Sequence, residues 1–96
     1  MKIPDTVRIG LITYKVEIHD EPLEGDRIGE IDYHNATIKL SKFTAEDVQK
    51  WTFYHELTHA LFMKLGYHGD DKITLDERFV DAFGCALGEL VDDLIK

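Results

Sequence analysis

The chain has a single cysteine, no long apolar run and no surplus of positive charge. Each shortage closes off a class of protein. With Cys85 alone there can be no internal disulfide and no cysteine-rich zinc finger, which suits a reducing compartment. The opening residues, Met1-Lys2-Ile3-Pro4-Asp5, lack the apolar centre of a secretory leader. Nowhere does an apolar run approach the ~20 residues that cross a bilayer. A formal charge of −8 argues against nucleic acid or an anionic membrane as partner. Repeats, low-complexity tracts and linkers are missing too, so the 96 residues read as one soluble, cytoplasmic domain.

Hydrophobic residues make up 44% of the chain and aromatics 10%, a globular composition. The first half alternates with period two. Thr6 to His19 reads as two strands turning at Gly10, and Ile28–Tyr33 and Ala36–Leu40 as two more, joined at His34-Asn35. Asn35 is the expected left-handed turn residue. Together these predict a three- or four-stranded antiparallel sheet. His19 falls on its polar side, a solvated surface histidine. Between the strand pairs, Asp20–Asp26 is an acidic loop whose spacing does not match an EF-hand.

After Ser41 the period becomes 3.6. Thr44 is the expected N-cap of a helix that runs to Leu65 and stops at Gly66. With His55 at 0° on a helical wheel, Trp51, Tyr54, Leu57, Thr58, Leu61, Phe62 and Leu65 fall between about 200° and 340°. His59 falls near 40°, so both histidines border the apolar stripe. Tyr67–Ile73 is an expected loop. A last helix starts near Thr74–Asp76 and continues to about Ile95, with Phe79, Val80, Phe83, Leu87, Leu90, Val91 and Leu94 as its apolar stripe. Cys85 lies in this stretch as a small buried side chain. The fold class is α+β: a small N-terminal sheet packed on a motif helix and a C-terminal helix.

The chemistry concentrates in His55-Glu56-Leu57-Thr58-His59, the H-E-x-x-H pattern. Four residues apart on a helix, His55 and His59 point two imidazoles at one cation, a spacing that suits tetrahedral zinc. Glu56, about 100° round, reaches a water beside that cation instead of the cation itself. A Lewis acid and a general base together are the machinery of a metalloprotease. In the last helix Glu77 and Asp81 lie four apart at one edge of the stripe, and packing stripe on stripe brings that edge towards the histidines. Glu77 would complete a His₂Glu set, and Asp81 would hold the far nitrogen of a ligand histidine. Glu77 also fits a capping box with Thr74, and Asp76 is a second carboxylate that could serve as ligand. The competing readings are two histidines at the rim of a core and a surface helix that carries the motif by accident.

H-E-L-T-H at 55–59 with E-R-F-V-D at 77–81 resembles the gluzincin pattern H-E-x-x-H…E-x-x-x-D, and most nearly the ImmA/IrrE-like metallopeptidases and their phage-encoded relatives. The resemblance is sharpest over residues 50–90. It implies a zinc-dependent peptidase with His55, His59 and Glu77 as ligands, Glu56 as base and Asp81 supporting a histidine. It also implies that the strand before the motif helix aligns an extended protein or peptide substrate. Phe62 and Leu65 stand where a metzincin needs Gly and His, and the run Val80-Asp81-Ala82-Phe83-Gly84 replaces the family's commoner A-N-x-F-A. No DNA-binding segment is recognisable, which leaves a bare catalytic core. No residue is marked as the donor to a tetrahedral oxyanion; Tyr54, Tyr67, His34 and His68 are of suitable type. The alternatives to an enzyme are a zinc-holding interaction module and a purely structural protein. Substrate and oligomeric state are not written in the sequence.

Overall fold

A computed structural model describes residues 3–42, 44–66 and 76–95. Its elements are β1 (Thr6–Ile9), β2 (Ile12–His19), a short 3-10 turn at Glu24–Asp26, β3 (Gly29–Asp32), β4 (Thr37–Ser41), α1 (Glu46–Lys64) and α2 (Glu77–Leu94). The class is α+β, a four-stranded sheet with two helices. Among the described residues no helix is long and apolar enough to cross a membrane.

The sheet is mixed, where alternation alone suggested an antiparallel one. Its order is β1-β2-β4-β3, with β2 and β4 parallel, Lys15 opposite Thr37 and His19 opposite Ser41. Burial explains the order. Ile38 and Leu40 in β4 are fully buried, whereas β3 carries Glu30 and Asp32 and is only half-buried. A strand that apolar belongs inside the sheet. The β3–β4 hairpin therefore docks by β4, which leaves β3 at the edge.

The hairpin turn departs from expectation as well. Ala36, not Asn35, takes the left-handed conformation, with φ of 48°. Asn35 instead donates from its backbone and side-chain nitrogens to the Asp32 carboxylate, at 3.1 and 2.8 Å. That local pairing closes the turn and holds Asp32 below the usual carboxylate range.

The first helix starts one residue later than expected, and the last starts at the end of its expected range. Ala45 occupies the N-cap of α1, and Thr44 donates its hydroxyl to Ser41 O at 3.2 Å. Asp76 caps α2, accepting from Arg78 N at 3.0 Å and Phe79 N at 3.4 Å. Asp76 is thereby used as a cap and Glu77 is released from one. Thr74, Tyr67, His68 and the expected 67–73 loop lie outside the described residues. The end of α1 follows expectation: Gly66, at φ of +91°, returns its N–H to Met63 O at 3.1 Å.

Helix α1 is buried on two sides, not one. Thr52, Phe53, Glu56 and Ala60, between about 60° and 160° on the wheel, share the side turned to the sheet; Tyr54 and Thr58, near 260–300°, are on the side turned to α2. His55 and His59 lie in the seam between these two sides. The apolar stripe of the last helix is also displaced. Val80, Gly84 and Gly88 are the buried positions of α2, while Phe79, Phe83, Leu90 and Leu94 are exposed. A Cβ on Gly88 would sit 2.8 Å from the Tyr54 ring, and one on Gly84 would sit 3.0 Å from Tyr54 O. The two glycines bring α2 onto α1 at a distance larger residues would prevent. Lys50 and Asp92, paired at 2.7 Å, clasp the helices along the same contact.

Candidate metal centre

The seam gathers four polar side chains from two helices. His55 Nε2 is 2.8 Å from Glu77 Oε2, and His59 Nε2 is 3.5 Å from Glu77 Oε1. Behind them, His55 Nδ1 is hydrogen-bonded to Asp81 Oδ1. One ligand atom from each of His55, His59 and Glu77 lies within 4.8 Å of the other two, the one such group among the described residues. Both rings are held in place: the imidazoles pack edge-on at 5.1 Å, and Trp51 meets His55 at 6.4 Å.

The donor set is chemically apt for a cation. Two imidazoles and a carboxylate are the set that zinc takes in hydrolytic sites. With Asp81 accepting the Nδ1 proton, a metal-bound His55 would offer its Nε2 lone pair to the ion beside Glu77 and His59. Desolvation is the main force on His59 and pulls its pKa down, against the Glu77 charge that raises it. The ring is thus kept in the neutral form that binds metal. Glu77 is the adaptable member, with a side chain 62% exposed. These residues fit a divalent ion without repacking the core.

Glu56 is placed differently. It is only 7% exposed, on the sheet side of α1, where β3 comes close. A Cβ on Gly29 would fall 2.3 Å from Thr52 Cγ2 and 3.3 Å from Glu56 Oε2, so glycine is what lets the strand lie this near. Burial raises the Glu56 carboxyl to about 7; His55 opposes the rise, and Glu77 and Glu30 add to it. Glu56 lines the same groove of ≈ 490 Å³ as His55, His59 and Glu77.

Among the groove residues that sequence reasoning missed are Arg27 and Tyr33. Tyr33 follows the edge strand β3, and its phenol is pushed up to about 12, first by burial and then by the charges of Tyr14 and Glu56. It remains a proton donor across the physiological range. The signal was available in part, since Gly29, Ile31 and Tyr33 alternate along one face of the strand. What the pattern lacked was that this face meets α1. Of the residues proposed for oxyanion contact, Tyr54 is buried on the α2 side, and His34 lines a different groove beside Asp32, Lys39 and Met63. His19 pairs with Glu17 at 2.9 Å on the outer surface, and Asp20 of the acidic loop pairs with Lys42 at 2.9 Å. Cys85 is exposed, not buried.

No protein-family profile, no curated protein and no solved structure matches the chain.

Proposed function

We propose that this protein is a zinc-dependent metallopeptidase whose centre is His55, His59 and Glu77, as the ImmA/IrrE-like resemblance implies. One observation carries the reading. A His₂Glu set, with a carboxylate bracing His55 from behind, shares a groove with a buried glutamate whose pKa lies near neutrality. A structural cluster needs the first part of that arrangement but not the second.

The residues divide the work. His55, His59 and Glu77 would hold the ion, and Asp81 keeps His55 in the required tautomer and orientation. When bound, the ion would polarise a peptide carbonyl and acidify a water beside it. Glu56, balanced between its two forms near pH 7, takes a proton on its carboxylate and returns it to the leaving nitrogen. Tyr33 donates its phenolic hydrogen towards negative charge growing on the carbonyl oxygen. The edge strand β3, hydrogen-bonded to β4 on one side, offers its other side to an extended peptide. The strand directly before the motif helix, β4, cannot do so because both its sides are taken. The substrate class is therefore an extended segment of protein, and the lone Cys85 thiol suits a cytoplasmic setting.

Glu56→Gln tests the reading. The variant should hold about one zinc per chain, as wild type does, and hydrolyse a denatured protein substrate at least ~100-fold more slowly. Chelation should silence the wild type and zinc should restore it. Undiminished hydrolysis by Glu56→Gln would remove Glu56 from the mechanism. Zinc in both proteins with turnover in neither would mark a metal-holding interaction module.

A further inference from the structure

We propose that Arg27 determines specificity in the groove by selecting an extended peptide that bears a carboxylate near the bond to be cut. This choice of substrate rests on the peptidase reading. Two hollows flank His55 and Glu56: the groove of ≈ 490 Å³ that also holds His59 and Glu77, and a smaller one of ≈ 290 Å³ walled by Trp51 and Ile28. Arg27 lines both, and among the described residues it is the one lysine or arginine that lines either.

The backbone puts it there. Arg27 is extended, with φ −68° and ψ 147°, and the next carbonyl, Ile28 O, accepts from Ser41 N at 3.0 Å. The pairing of β3 with β4 thus begins beside Arg27. Side chains alternate along such a segment, so Arg27 shares a face with Gly29, where a Cβ would fall 3.3 Å from Glu56 Oε2. The same ladder turns the N–H and C=O of Gly29 and Ile31 away from β4, to the side where a peptide would pair. Two residues of strand span about 6.6 Å. A peptide residue facing Arg27 is therefore about two positions along from the one facing Glu56.

The charge of Arg27 is left available. Its side chain is 66% exposed, and its ionic partner among the described residues is Glu30, at 4.0 Å. That distance is too long for a hydrogen bond. Lys39 stands equally far from the other oxygen of Glu30. Glu30 is shared between two cations and Glu77 is turned to the two histidines, so the fixed positive charge facing a peptide is Arg27. A guanidinium presents a planar fork of N–H donors, and a carboxylate is the group that accepts two of them at once. Over the rest of a chain of formal charge −8, the same carboxylate meets repulsion.

Two carboxylates satisfy this chemistry, the side chain of Asp or Glu and the free C-terminus of a peptide. Glu56→Gln protein in zinc-containing buffer, which should hold peptides without cutting them, separates the two. It is offered randomised decapeptides in two sets, one ending in a free carboxylate and one amidated, and the retained peptides are sequenced. Enrichment of Asp and Glu over Asn and Gln by at least ~10-fold in the amidated set supports side-chain recognition. Enrichment of the free-acid set alone, by a similar factor, supports recognition of the terminus. Either preference should vanish when Arg27→Gln is added, and Arg27→Glu should favour Lys and Arg instead, with zinc content and circular dichroism unchanged in both. A carboxylate preference that persists in Arg27→Gln overturns the proposal, because the ion itself is then the receptor. No acid preference in either set overturns it too, as does retention of neither set. Failure of the peptidase reading shows separately: wild type then leaves the retained peptides uncut while the Arg27 preference stands.

Discussion

The two long faces of α2 differ in a way that hydropathy ranks backwards. The outer face holds Phe79, Phe83, Leu90 and Leu94 and is exposed; the inner face holds Val80, Gly84, Leu87, Gly88 and Val91 and meets α1. The less hydrophobic face forms the core contact because it permits the closer approach. Two glycines accept the Tyr54 ring and backbone where any Cβ would collide. Only at that separation does Glu77 reach His55 and His59, and Asp81 reach the back of His55. The inner face was selected by shape and by what it carries to the seam. The outer face is the one with apolar area to spare.

The largest effect comes from the buried carboxyl beside the seam, Glu56. Burial pushes the Glu56 carboxyl up from its ordinary 4.5 to about 7 in the folded, metal-free protein. A raised folded value means the group favours folding below pH 4.5, and that contribution is lost as pH rises through 7. Glu56→Gln, which cannot ionise, should therefore gain on wild type between those limits, by about 3 kcal/mol at pH 8 in chelator. Urea unfolding at pH 4 and pH 8 measures it; equal differences at both would show that Glu56 ionises freely.

The contrast between faces is broken next by filling the inner one. Gly88→Val drives a branched side chain at the Tyr54 ring and should destabilise the protein by roughly 2 kcal/mol, lowering zinc affinity with it as α2 lifts. Leu94→Ser on the outer face should move stability by less than ~0.5 kcal/mol. Similar losses from the two substitutions would erase the distinction.

A smaller and more local change sharpens it. Asp81→Asn keeps the shape of the inner face but removes the charge behind His55. Zinc affinity should fall at least ~10-fold, as loss of a supporting carboxylate does. A competition titration against a chromophoric chelator reads this directly, and unchanged affinity would reduce Asp81 to a surface partner.

Much of the candidate site was legible because helical spacing converts sequence into geometry without help. Residues at i and i+4 share a face, so His55 and His59, and likewise Glu77 and Asp81, were pairs as soon as the helices were recognised. That the pairs meet needed only two helices in contact. Elements that depend on competition between partners were less readable. Thr44 and Asn35 each have a side chain able to satisfy more than one backbone or carboxylate group, and each chose a partner that local preference did not rank first. Sheet order escaped for a different reason. Alternation marks which residues of a strand share a face, but it does not say which strand lies beside which, and Tyr33 was missed with it.

The chain by itself determined the α+β class, the two helices, the histidine–glutamate motif and the carboxylates that answer it. All of these follow from short-range periodicity and from side-chain chemistry at set intervals. The tertiary structure alone decided that β4 lies inside and β3 at the edge, that Glu56 is buried, that Tyr33 and Arg27 face the groove, and that α2 turns its glycines inward. Each of those outcomes depends on how closely two surfaces can approach, and that distance belongs to pairs of elements and to no single stretch of sequence.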